Sequence, residues 1–287
     1  MKYYFFLLLT NITVTLFSQN LTIEDSYLFV LDKSNQNDTH NLKKHYVFLA
    51  SKCHQKYKYY FELGKLTLSV PNLSKNYFKL AIKNNPESFY KIFSITKDSS
   101  YYQDYNNSLY KHSRIKVKDS VLQFSIKEMI VKDQFYRKKI SEYSYLSNTN
   151  YSLFKIKFDS LMKLQKDYDY LNQVKLDSII NKKGWPDLRF VDEENLNSIF
   201  TISQHCINVN KRKKYLKLIE KSAKNGNDSY SHLAFYKDRT LMLQGKPQLF
   251  GTENIIKDNS GMQLYDIKNV EELNNRRIIY GLSPLKK

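Results

Sequence analysis

In "DSVLQFSIKEMIVKDQFYRKKISEY" (119–143), Leu122, Ile126, Met129, Tyr136 and Ile140 recur at the spacing of one helix face. Helical spacing returns along the chain, and no stretch alternates convincingly with the period two of a half-buried strand. That pattern predicts an all-α fold. In the back part, "FDSLMKLQKDYDYLNQVKLDSIINKKG" (158–184) reads as a second long helix, stopped by Gly184 and kept stopped by Pro186. "DEENLNSIFTISQHC" (192–206) is a third and "KKYLKLIEKSAKNG" (213–226) a fourth, ended by Gly226. "DSYSHLAFYKDRTLMLQG" (228–245) starts on Asp228 as its expected N-cap, and "NVEELNNRRIIYG" (269–281) closes the set. The front part reads as a helical hairpin, with one long helix over "HYVFLASKCHQKYKYYFELGK" (45–65) and another over "LSKNYFKLAIKNNPESF" (73–89). One tetratricopeptide-like unit is present without a 34-residue repeat, which suggests a surface for a protein partner. The expected architecture is this front hairpin followed by a multi-helix orthogonal bundle.

The chain begins "MKYYFFLLLTNITVTLFSQN", a basic residue, an apolar run and a small residue at Ser18. We read residues 1–18 as a signal peptide and expect an exported protein, periplasmic or secreted, with no membrane span after cleavage. Composition shifts near "HSRIKVKDS" (112–120): none of the seven arginines and only one of the seven glycines precedes it. The boundary is therefore placed there, giving a helical front region at 19–112 and a second domain at 113–287. Cys53 and Cys206 are too few for a disulfide scaffold, and we read them as buried free thiols, although export permits a bridge.

The formal charge is +18, yet only seven of the 46 basic residues are arginine, and the lysines are spread along the whole chain. This argues against nucleic-acid binding, and the densest run, "NKRKKYLK" (210–217), is expected to be a solvated helix face. No phosphate loop, nucleophile elbow or metalloprotease motif occurs, so no cofactor is expected. His40, His45, Cys53 and His54 lack metal-ligand spacing, and no metal is expected either.

The candidate site comes from polar residues in apolar places. Asp133 lies seven residues after Ile126 and seven before Ile140, on the core stripe, with Arg137 one turn on. A buried carboxylate needs a partner, so the two form either a structural pair or part of a pocket. Asp238 and Arg239 interrupt a segment that is apolar all round, "SHLAFYKDRTLMLQGKPQLFGTE" (231–253), and they diverge around the helix. Each is expected to join a buried polar network with Asp133, Arg137 and His205. His205 points away from the stripe of Leu196, Ile199, Phe200 and Ile207, which makes it either an exposed residue or a site residue. Pro247 and Gly251 fix a loop carrying Gln248 and Thr252, pinned by Leu249 and Phe250.

Six short motifs occur in order: "MIVKDQFYR", "DYLNQVKL", "KKGWP", "ISQHC", "LAFYKDRTLMLQGKPQLFGTE" and "NNRRIIYGLSPL". This order resembles an uncharacterised bacterial domain-of-unknown-function family. Its members show D-Q-x-x-R, D-x-x-N, G-W-P, Q-H, D-R, G-x-P-Q-x-Y-G-T and R-R…G-L-x-P-L, matched here over about residues 119–287. The resemblance marks Asp133, Gln134, Arg137, Asn172, Trp185, His205, Asp238, Arg239, Gln248, Gly251, Thr252 and Arg277. Gln204 completes the Q-H pair. The chain departs from the family at "QHCI" and "FGTE", and the resemblance implies no activity. We expect a ligand- or partner-binding module with a polar pocket for a small anionic or carbonyl-bearing ligand. The alternatives are a hydrolase using His205 with Asp133 or Asp238, and a purely structural buried network.

Overall fold

The computed structural model describes residues 22–32, 35–84, 119–143, 150–257 and 261–285. The leader at 1–18 and most of the boundary at 112–120 lie outside them. The fold is all-α, apart from one two-stranded sheet. The described residues fall into two compact units, and the units do not follow sequence order. One holds the described residues within Met1–Ile115, Leu249–Asn254 and Met262–Lys287; the other holds those within Lys116–Gln248 and Ile255–Gly261.

The first unit contains α1 (Ile23–Leu31), α2 (Thr39–Lys52), α3 (Lys56–Leu66), α4 (Pro71–Asn84) and, from the far end of the chain, α10 (Leu273–Ile279). The single helix expected over 45–65 is two. Cys53 takes an extended conformation, and the N–H of His54 donates to Ile279 O at 2.9 Å, so a tertiary bond replaces the next helical one. Val30, Leu42, Leu49, Ala50, Cys53, Tyr59 and Ile278 form one core cluster. Asn274 bonds the carboxylate of Glu24, and α10 packs on α1. Gly64 lets α3 and α4 approach closely: a Cβ there would lie 2.5 Å from the ring of Phe78. Phe250 is buried against Tyr280, as expected of a residue that pins its loop, and Gly251 holds φ +64°.

The strands β1 (Asn254–Lys257) and β2 (Gly261–Leu264) make the sheet. They were not legible as strands, because four residues each cannot display alternation.

The second unit contains α5 (Ser120–Glu142), α6 (Tyr151–Lys183), α7 (Glu193–Gln204), α8 (Val209–Lys224) and α9 (Tyr230–Met242). Each helix starts on a side-chain cap: Asp119, Asn150, Asp192, Asn208 and Ser229 all accept from a backbone N–H of the first turn. Ser229 replaces Asp228, which was the expected cap, because the Asp228 carboxylate binds Trp185 Nε1 and His232 Nδ1 instead. Gly184, at φ +80°, ends α6 as expected. Helices α6 and α7 both pack on α5, and α8 packs on α9. The Asp119 N–H reaches Phe190 O, and the Asp192 N–H reaches Gln123 Oε1, tying the α7 end of the α6–α7 connection to α5.

The basic run 210–217 is solvated at Lys213, Lys214 and Lys217 but not at Arg212, which is fully buried. Its guanidinium lies over the Tyr236 ring at 4.1 Å, and it donates to Gln204 O, Cys206 O and Thr240 Oγ1. Helical periodicity puts position 212 on the inward face with Tyr215 and Ile219, and that periodicity prevails over the charge of its neighbours.

Candidate functional site

The stripe of α5 runs Leu122, Ile126, Met129, Asp133, all buried. A carboxylate at the fourth position loses hydration, and the structure supplies partners from its own helix and from the end of α7. His205 Nδ1 lies 2.8 Å from Asp133 Oδ1. Gln134 Nε2 donates to Asp133 Oδ2 at 2.6 Å, and Arg137 Nε lies 3.4 Å from the same oxygen. Burial pushes the Asp133 carboxyl up, but the His205 bond and the charges of His205 and Arg137 outweigh it and hold the group below its ordinary range.

Arg137 also reaches across to α6, where Nη2 donates to Asp169 Oδ1 at 2.6 Å. Gln165 Nε2, one turn earlier on α6, donates to that oxygen at 2.8 Å. His205 Nδ1 is 4.0 Å from Asp169 Oδ1, and ligand atoms of Asp133, Asp169 and His205 all lie within 4.8 Å of one another. The cluster is graded in exposure: the side chains are 1% exposed at Asp133, 18% at His205, 22% at Asp169 and 32% at Arg137. It therefore runs from a buried carboxylate to solvent. Beside it, Val131, Gln134, Phe135, Arg137 and Lys138 line an open depression of about 490 Å³ on α5.

His205 is not on a helix face. Helix α7 ends at Gln204, His205 is its C-cap, and Ile207 is 82% exposed, so Ile207 is no part of an apolar stripe. The cap position turns the ring toward Asp133. Its neighbour Cys206 is buried and donates its thiol to Asn208 O, and burial pushes that thiol up. Cys53 and Cys206 are both buried free thiols.

Of the residues marked from sequence, the structure gathers Asp133, Gln134, Arg137 and His205. Asn172 is buried on α6 and donates to Met129 O, and Gln204 bonds Arg212. Trp185 is buried, with Nε1 on Asp228 at 3.1 Å, while His232 bonds the same carboxylate and stacks on Phe200 at 4.2 Å. These read as packing. Asp238 is fully buried on α9, Arg239 partly so, and Gln248 is buried at the end of the unit. Gly251, Thr252 and Arg277 belong to the first unit, where Arg277 donates to Phe250 O, Gly251 O and Ser283 O.

Asp169 and Gln165 went unmarked. Asp169 opens the motif D-x-x-N in "DYLNQVKL", and the signal was the unmatched donor capacity of Arg137, whose fork can hold a second carboxylate. The Asp133, Asp169 and His205 donor set also goes beyond the expectation from sequence, which looked for metal ligands only around residues 40–54.

Residues 120–287 match the model of a family described as a family of unknown function (DUF6624). The match begins at the first residue of α5. No curated protein and no solved structure matches the chain. Among the described residues no helix is long and apolar enough to cross a membrane.

Proposed function

The chain belongs to this family of unknown function, and from that premise we propose that its second unit is a binding module for a small polar ligand, centred on Asp133, Asp169, His205 and Arg137. The observation that carries the reading is the graded opening of the cluster: four ionisable groups converge from α5, α6 and the end of α7, and three of them stay partly exposed. A network serving packing alone gains nothing from leaving Asp169 and Arg137 at the surface, because a solvated pair contributes only about 0–1 kcal/mol. The apolar leader supports export as the setting, and the helical front region supports a protein partner there.

A second reading is favoured by one bond. With Nδ1–H donated to Asp133, neutral His205 presents Nε2 as an acceptor, the arrangement of a carboxylate-oriented general base. In that reading the site is a hydrolase, and Asp133 rather than Asp238 orients the histidine.

The test is a thermal-shift screen of the full chain against small amines, sugars, carboxylates and esters. A true ligand at 100 times its Kd raises stability by about 2.7 kcal/mol. We expect such a compound to stabilise the wild type and to leave Asp169→Asn and His205→Gln unmoved. Equal stabilisation of all three proteins would place the ligand elsewhere. Ester turnover that His205→Gln abolishes would select the second reading.

A further inference from the structure

Arg137 is matched by Asp133 and Asp169, so its charge does not make the site anion-seeking. The two carboxylates outnumber the one guanidinium. The atoms left over are acceptors. Among the described residues no hydrogen bond reaches Asp169 Oδ2 or His205 Nε2. Gln165 adds an independent observation. The residue is 2% exposed, its Nε2 is fixed on Asp169 Oδ1, and its Oε1 is a buried oxygen with no hydrogen-bond partner. Leaving a buried amide oxygen unmatched is destabilising. Turning the amide over would point that oxygen at the carboxylate and is worse. The amide is therefore fixed on Asp169 through its nitrogen, with its buried oxygen left unmatched.

We propose that this cluster binds a divalent transition-metal ion, with Asp133, Asp169 and His205 as ligands and Gln165 Oε1 as a further oxygen donor. The imidazole separates it from a magnesium or calcium cage, which is built from oxygen alone, and two carboxylates with one imidazole suit manganese, iron or zinc. Cys206 stands next to His205 but takes no part, since its thiol is turned onto Asn208 O. Arg137 keeps the second carboxylate in place and limits the charge the ion must balance. The inference rests on the reading of the cluster as a ligand site and names the ligand.

The experiment takes the full chain, stripped with a chelator, and titrates it with Mn²⁺, following loss of the free-ion resonance signal, with Zn²⁺ as competitor. Wild type, Asp169→Asn and Gln165→Leu are compared, and each ion-free protein is melted to show that it folds. The expected result is one ion per wild-type chain, with affinity at least tenfold weaker in both variants and ion-free melting little changed. Failure of the wild type to bind at millimolar free ion would overturn the assignment, and so would equal affinity in all three proteins. If no ion binds while an organic compound stabilises the wild type through Asp169 and His205, the ligand reading stands and the metal falls. If neither happens, both fall.

Discussion

Asp133 shows what one buried carboxylate does to a fold. Its pKa is depressed in the folded chain relative to its ordinary value of 3.8. A depressed carboxyl favours the folded state wherever it is ionised, so its contribution is present above the unfolded pKa and is lost as pH falls through the lower folded value. Urea midpoints measured from about pH 5 to about pH 2 should therefore fall, and part of that fall should be missing in Asp133→Asn. Arg212 makes a different point, because its bonds to Gln204 O, Cys206 O and Thr240 Oγ1 close the end of α7 onto α8 and α9. Arg212→Met keeps the volume and removes the donors, and equilibrium unfolding should show a loss of about 3 kcal/mol. Position 133 was legible in sequence because its neighbours on the stripe are apolar. Position 212 was hidden because its neighbours along the chain are lysines, and only the three-residue step to Tyr215 shows which way it faces.

At the scale of elements, stops were the readable part and caps were not. Gly184 ends α6 as its chemistry predicts, because a stop acts within one turn of chain, whereas the expected cap Asp228 gives way to Ser229. Tertiary bonds were not readable. The break between α2 and α3 depends on a carbonyl from residue 279, and no local signal announces it. The end of α7 is similar: "SQHCINVN" carries no glycine or proline, yet the chain turns at His205 and presents the ring to Asp133. The α3–α4 contact gives a sharp test. Gly64→Ala drives a methyl into the Phe78 ring and should cost about 1–3 kcal/mol by denaturant unfolding. Adding Phe78→Leu should return part of that loss. A strictly additive double variant would mean that the ring is not what Gly64 accommodates.

On the scale of the whole molecule, sequence order and spatial order differ. Ile278 and Asn274 complete the first unit through the core around Leu49 and the carboxylate of Glu24. A chain ending at Gln248 leaves that core open, and trypsin should cut its front helices roughly tenfold faster than in the full chain, at equal protease. Unchanged cleavage would mean that α1–α4 hold without α10. The composition shift near residue 113 could not reveal this arrangement, because composition records neighbours along the chain and not across it. The central claim is that the cluster at Asp133 is kept for a ligand and not for stability, and melting of the ligand-free wild type, Asp169→Asn and His205→Gln tests it most directly. The account predicts that both variants stay within about 1 kcal/mol of the wild type, as partly exposed members of a ligand site do. A loss of about 3–5 kcal/mol in both would contradict it and mark the cluster as a buried structural network.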